Sequence, residues 1–232
     1  MTAQRLRRGA QAFYHMKKFL RVCLLAAVAT GSAAGVPPGY GISSWEGWKP
    51  GQISRADCPE LRSVPLILKW DALEPAAGRY AFEEELGRPL QAAQDGGLYL
   101  TLMIWVGPAA PEWIYQNGVP RVITNRNVNA LGQKTDGQKQ YPYYLHPEYK
   151  KHFLGLIDAF GKYVSALPPA LRARIVFVQC AEGSTGDGQP YKGKPLDQKY
   201  AISDEVWNDF RLEAWKRYRD AVPGIPILVN SD

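Results

Sequence analysis

Cysteine and histidine are scarce in this chain, with three of each in 232 residues. The histidines, His15, His146 and His152, show no zinc-ligand spacing, so neither a metal site nor any other cofactor is expected. Of the cysteines, Cys23 lies in an early apolar stretch, which leaves Cys58 and Cys180. An exported protein could join these two, but a disulfide needs closely aligned partners that sequence does not display; two free, mostly buried thiols are the favoured reading. Nucleotide fingerprints are missing as well. The first strand–helix turn has no G-x-G-x-x-G, and the glycine-rich Gly183–Gly188 lacks the GK[ST] ending of a P-loop. Internal repeats and low-complexity linkers are absent.

A true charge excess is also lacking. The formal net charge is +6, yet six of the 28 Lys and Arg residues fall in Met1–Ala34, which holds no acid. The remainder carries 22 basic and 22 acidic residues. A nucleic-acid partner would need a basic patch in the folded domain, and this balance gives no case for one. The leader itself reads as a secretory signal. Lys17 and Lys18 form a positive start, Phe19–Val28 is apolar but too short to span a bilayer, and Ser32-Ala33-Ala34 offers an A-x-A-like cleavage site. Met16 opens this signal naturally and is an alternative start to Met1. The expected location is secreted or periplasmic, with no membrane attachment after cleavage; an uncleaved anchor is the alternative.

The expected domain is then 35–232. Its pattern alternates strands and helices. Strands are expected at Tyr40–Trp45, Val64–Trp70, Leu98–Val106, Ile175–Cys180 and Ile225–Asn230. Helical stretches are expected at Phe82–Gln94, ending at Gly96-Gly97, at Pro147–Ala166, with Phe153, Leu156, Ile157 and Phe160 at core spacing, and at Ser203–Ala221. A long loop runs from Gly107 to about Tyr144. Repeated strand–helix units imply parallel strands in an α/β fold. A doubly wound sheet of five strands would fit the length, but without its dinucleotide fingerprint a (β/α)8 barrel is the better reading. Such a barrel needs about 250 residues, so the chain is expected to supply about the first five of its eight units.

The segment Arg174–Asp187, RIVFVQCAEGSTGD, concentrates the chemistry. An apolar run of strand length ends in Ala181-Glu182 and a glycine-rich loop, and parallel α/β folds carry their chemistry on such loops. An acid there, walled by apolar groups, could hold a proton near neutrality. The plain alternative is that Glu182 caps a turn or pairs with a base.

Trp70-Asp71-Ala72-Leu73-Glu74-Pro75-Ala76-Ala77-Gly78-Arg79-Tyr80-Ala81-Phe82 resembles the W-x-x-[IL]-E-P-x-x-G-x-[YF]-x-F signature of clan A glycoside hydrolases, most like the β-galactosidase-like families 42 and 35. Pro111-Glu112-Trp113-Ile114 and Gly118-Val119-Pro120 resemble the loop after the third barrel strand. The resemblance implies a TIM barrel, an oligo- or polysaccharide substrate and a retaining mechanism. It implies that Glu182 is the general acid/base at the end of strand four, with Ala181 where the clan usually has Asn. The nucleophile is implied on a seventh strand, after Asp232. Trp45, Trp70 and Trp105, near the ends of strands one to three, are candidate sugar platforms, with core packing as the alternative for each. Gln179, Asp187 and Tyr191 are candidate cleft residues, whereas Glu74 is expected to hold the loop after strand two. A non-catalytic carbohydrate-binding barrel or an inactive fragment is the competing function.

Cleavage close to Ala34 is the expected outcome of export. Amino-terminal sequencing of the exported protein checks it, and a mature chain that retains Lys17 would sink it.

Overall fold

Val64, Leu66 and Leu68 alternate with Pro65, Ile67 and Lys69, and only the first set is deeply buried. The same alternation runs through Leu100, Leu102 and Ile104 against Tyr99, Thr101, Met103 and Trp105. Alternation of period two puts one set on each face of a strand. In the computed structural model, which describes residues 37–44, 47–126, 140–186 and 188–230, these runs form β2 (Leu61–Lys69) and β3 (Tyr99–Trp105). They pair in parallel, with Val64, Leu66 and Leu68 beside Leu100, Leu102 and Ile104. One face of the sheet is therefore continuous with the core that the helices supply, and the other is only half-covered.

The fold is mixed α/β. Its main sheet has five strands in the order β1 (Ile42–Ser43), β2, β3, β6 (Ile175–Gln179) and β7 (Ile227–Leu228). Every pairing in it is parallel. Spatial order follows chain order without reversal, so the sheet has no switch point of the kind a doubly wound fold requires. The compact unit holding it is Pro38–Asp232.

All five expected strands are present; four are shorter than expected, while β2 begins three residues earlier, at Leu61. Trp70 does not close β2; it opens the helical turn α1 (Trp70–Leu73). The fifth strand shrinks to two residues, although Val178 N–H still reaches the Pro226 carbonyl and Cys180 N–H the Leu228 carbonyl. The expected helix at Phe82–Gln94 is composite. Glu83–Gly87 is π-helical and leads into α2 (Arg88–Asp95). Pro89 has no N–H for the carbonyl four residues back, which accounts for the wider turn before it. The described parts of the stretch from Gly107 to Tyr144, 107–126 and 140–144, hold regular structure. They contain α3 (Glu112–Gln116) and an antiparallel pair, β4 (Arg121–Ile123) with β5 (Gln140–Pro142).

Helix α4 (Pro147–Ala166) matches its expected span, and the short α5 (Pro169–Arg172) follows it. Helix α6 (Asp204–Ala221) starts where Ser203 accepts a hydrogen bond from Val206 N–H, a normal N-cap. Helices α4 and α6 pack together over the sheet, with Phe153, Phe160, Phe210 and Tyr218 among the buried rings. Their close approach needs Gly161. A Cβ there would strike the Ala221 carbonyl oxygen and stand 2.7 Å from the Ala221 Cβ.

Gly161→Ala tests that contact. Helix propensity alone favours Ala by about 1 kcal/mol, but overpacking against backbone costs about 1–3 kcal/mol. A net loss of stability in urea unfolding is expected; a gain would show that the helices can part freely.

Candidate active site

Glu182 lies three residues beyond the end of β6. Its hydrogen-bond partners come from helix α6. Arg211 Nε donates to Glu182 Oε1 at 2.6 Å, and Trp215 Nε1 donates to the same oxygen at 3.2 Å. Both donors come from α6, four residues apart on one face of the helix. Glu182 is 2% exposed and Arg211 5%. Oε2 of Glu182 is buried and receives no hydrogen bond. Burial pushes the Glu182 carboxyl above its ordinary 4.5, against the opposing pull of Arg211, its own backbone N–H and Trp215. The result is a buried acid with one oxygen fully engaged and the other unengaged.

Arg211 also donates through Nη2 to the Asn230 carbonyl, just past β7. Asn230 Nδ2 and Gln179 Nε2 both donate to the Gly186 carbonyl, at 3.3 and 3.2 Å. The glycine-rich loop is thereby tied to both strand ends. Trp207 Nε1 holds it from the helix side through the Gly188 carbonyl, at 2.6 Å. Two glycines are needed there. Gly186 has φ +84°, and a Cβ on it would lie 2.6 Å from Met103 Sδ; a Cβ on Gly183 would strike the Gln189 carbonyl. The glycines thus serve close backbone approach.

The other candidates fall in different places. Gln179 lies in register with Met103 at the end of the half-covered face, beside the loop. Trp105 lies on that same face, half-buried, in register with exposed Lys69, and its Nε1 donates to Met103 Sδ at 2.9 Å. Of the proposed platforms, Trp105 keeps part of its surface open. Trp70 does not: it is 0% exposed, edge-on to Trp113 and Tyr149, and so is a core residue. Its parity with Leu68 aims it at the helices. Tyr191 is likewise buried, between Tyr141 and Tyr144, with its hydroxyl donating to the Tyr200 carbonyl. Trp45 and Asp187 lie outside the described residues. Sequence reading missed Arg211, Trp215 and Asn230.

Glu74 is a second buried acid just after a strand, with a different environment. Trp70 Nε1 donates to Oε2 and Gly78 N–H to Oε1, both at 2.8 Å, while Trp113 Nε1 donates to the Glu74 carbonyl at 2.9 Å. It pins the Trp70–Phe82 segment. Cys58 and Cys180 are free thiols, and burial pushes that of Cys180 up. Among the described residues no group of three or more His, Cys, Asp or Glu could hold a metal ion, and no helix is long and apolar enough to cross a membrane.

No family model and no curated protein matches the chain. Solved structures do share part of its backbone arrangement. A family 39 glycoside hydrolase from Bacteroides cellulosilyticus WH2 is 15% identical over 73% of this chain and 26% of its own, with a TM-score of 0.41. Endo-glycoceramidase II from Rhodococcus sp. is 14% identical over 77% of this chain and 44% of its own, at 0.47. A β-galactosidase from Rahnella sp. R3 is 16% identical over 73% and 31%, at 0.46. The chain thus spans between about a quarter and under half of the length of these proteins.

Glu74→Ala should destabilise the fold by about 1–3 kcal/mol, because it leaves the buried Trp70 N–H without an acceptor. Urea unfolding checks this. An unchanged midpoint would remove Glu74 from its anchoring role.

Proposed function

We propose that this chain carries the acid/base part of an exported, retaining glycoside hydrolase acting on a β-linked, galactoside-like sugar. The observation that carries the reading is Glu182: a carboxyl at the end of a buried parallel strand, lifted by burial, with one oxygen free of protein donors. The monotonic strand order fits the opening units of a (β/α)8 barrel, whose chemistry sits at the strands' carboxyl ends. The Trp70–Phe82 signature and a glutamate three residues past the fourth strand of the main sheet support the clan A reading.

In this mechanism Glu182 first gives its proton to the departing glycosidic oxygen while a second carboxylate attacks the sugar carbon. It then takes a proton from the water that releases the sugar. The second carboxylate must stand about 5–5.5 Å from the first. It would come from a strand beyond β7, whose outer edge has no partner among the described residues. Trp105 on the half-covered face offers a ring for stacking a sugar.

A second reading is favoured by the tight pairing of Glu182 with Arg211 at 2% and 5% exposure. In it the acid is a structural ion pair in a non-catalytic, carbohydrate-binding barrel. The two readings separate on one substitution. For a catalytic acid, Glu182→Gln in the full-length protein lowers turnover of a natural glycoside by about 10²–10⁴-fold. Aryl glycosides with good leaving groups suffer less in the first step, and azide partly restores the second. For a structural pair, removing one partner costs about 3–5 kcal/mol of stability instead. Unchanged turnover with a folded variant overturns the catalytic reading.

The pH dependence follows from the same group. Because its folded value lies above 4.5, the folded state holds the proton more tightly than the unfolded one. The associated stability is full below the unfolded value and is lost as pH rises through the folded one. Glu182→Gln should flatten that decline in urea unfolding measured across weakly acidic pH.

A further inference from the structure

Arg211 sits where α6 is otherwise apolar, between Trp207, Phe210, Ala214 and Tyr218. A guanidinium this deep needs acceptors, and it has two: Glu182 Oε1 and the Asn230 carbonyl. Its central carbon also lies 4.9 Å from the centre of the Trp215 ring, whose N–H shares Oε1. Oε1 therefore accepts two hydrogen bonds, and Oε2 none.

We propose that Arg211 is a positioning residue that acts through Glu182, fixing Oε2 as the oxygen that exchanges the proton and tying the carboxyl to the end of β7. The inference rests on the glycosidase reading of Glu182 and adds the arrangement that would make the acid work. A proton on Oε1 would oppose two N–H donors, whereas Oε2 meets none, so the acid form carries its hydrogen on Oε2. In the first step the Oε2–H bond breaks as an O–H bond forms on the leaving oxygen, which keeps the electron pair of the broken C–O bond. The carboxylate left behind is then stabilised through Oε1 by Arg211. In the second step, water bonds to the sugar carbon through its oxygen as that carbon's bond to the second carboxylate breaks, the carboxylate keeping the electron pair, and one proton of the water passes to Oε2.

The other titratable groups around Glu182 do not compete for this role. Cys180 just past β6, Tyr149 in α4 and Tyr218 in α6 are all pushed up by burial, so they stay neutral while Glu182 titrates. The charge that Glu182 meets is that of Arg211. Ordinary ion pairs on the surface, such as Arg217 with Asp158 or Lys150 with Glu213, lack this burial and the shared third partner.

The test is a ¹³C carboxyl titration of the full-length protein with labelled glutamate, the Glu182 signal being identified by its loss in E182Q. In a folded R211M variant the proton affinity of Glu182 should rise about tenfold or more, the usual effect of removing an adjacent opposite charge. R211K should return it to within about twofold of wild type, and W215F should raise it by less than R211M. In the pH profile of aryl-glycoside hydrolysis, the limb reporting the acid/base should move with the titration midpoint. A purely structural pair would also move the midpoint but leave the acid/base limb of the hydrolysis profile where it was; an unmoved limb or an unmoved midpoint in folded R211M overturns the proposal. Should R211M fail to fold, R211K near wild type together with raised W215F supports it, and any other pair of values overturns it. A wild-type protein that cleaves no glycoside, yet whose Glu182 midpoint follows Arg211, sinks the glycosidase reading alone.

Discussion

A carboxylate withdrawn from water at the end of a buried strand must be compensated, and much of the upper end of this fold is arranged around that requirement. Desolvation costs several kcal/mol per ion, which a paired arginine roughly offsets rather than exceeds. The Glu182–Arg211 pair is accordingly weak evidence for stability. What it does supply is direction. One guanidinium joins α6 to the ends of β6 and β7, and Asn230 and Gln179 extend the connection to the glycine-rich loop. A change in the position of any of these elements is felt at the same carboxyl.

Close backbone approach is the second constraint at this end. Gly107 and Gly183 lie on neighbouring strand ends, and a Cβ on Gly107 would stand 2.6 Å from the Gly183 carbonyl oxygen and 2.5 Å from the Tyr144 hydroxyl. The loop can therefore settle against the sheet only where side chains are missing. This is why a segment that looks like a nucleotide cradle in sequence serves here as a packed lip over Met103 and Gln179. Phosphate-binding loops leave their N–H groups open, whereas here Ser184 N–H is already given to the Gln189 carbonyl.

Much of the fold was legible because parallel strands buried on a helix-facing side read as apolar runs, and because α4 and α6 have apolar stripes and clear starts. The antiparallel pair β4–β5 was not legible, since three-residue strands carry too little pattern to stand out from a loop. The platforms were half legible. Trp70 and Trp105 both follow apolar runs, but Trp70 shares parity with Val64, Leu66 and Leu68, and Trp105 with Thr101 and Met103. Sequence shows the parity; only the location of the helices says which parity is inside. Arg211 did leave a signal. A lone arginine in the stripe Trp207, Phe210, Ala214, Tyr218 demands a buried acceptor, and Glu182 was an acid with no assigned partner.

The two buried glutamates after strands show how environment separates roles. Glu74 has both carboxyl oxygens engaged, by Trp70 and by Gly78, and it fixes the turn that follows β2. Both oxygens of such a group are committed to holding the turn, so turning either towards a substrate would loosen an anchor. Glu182 is as deeply buried, yet its donors are gathered on Oε1 and its other oxygen is unengaged. A group held by one oxygen and free at the other can change protonation without releasing its anchor. On the proposed glycosidase reading, that asymmetry, more than burial or the raised proton affinity, assigns proton transfer to Glu182 and anchoring to Glu74.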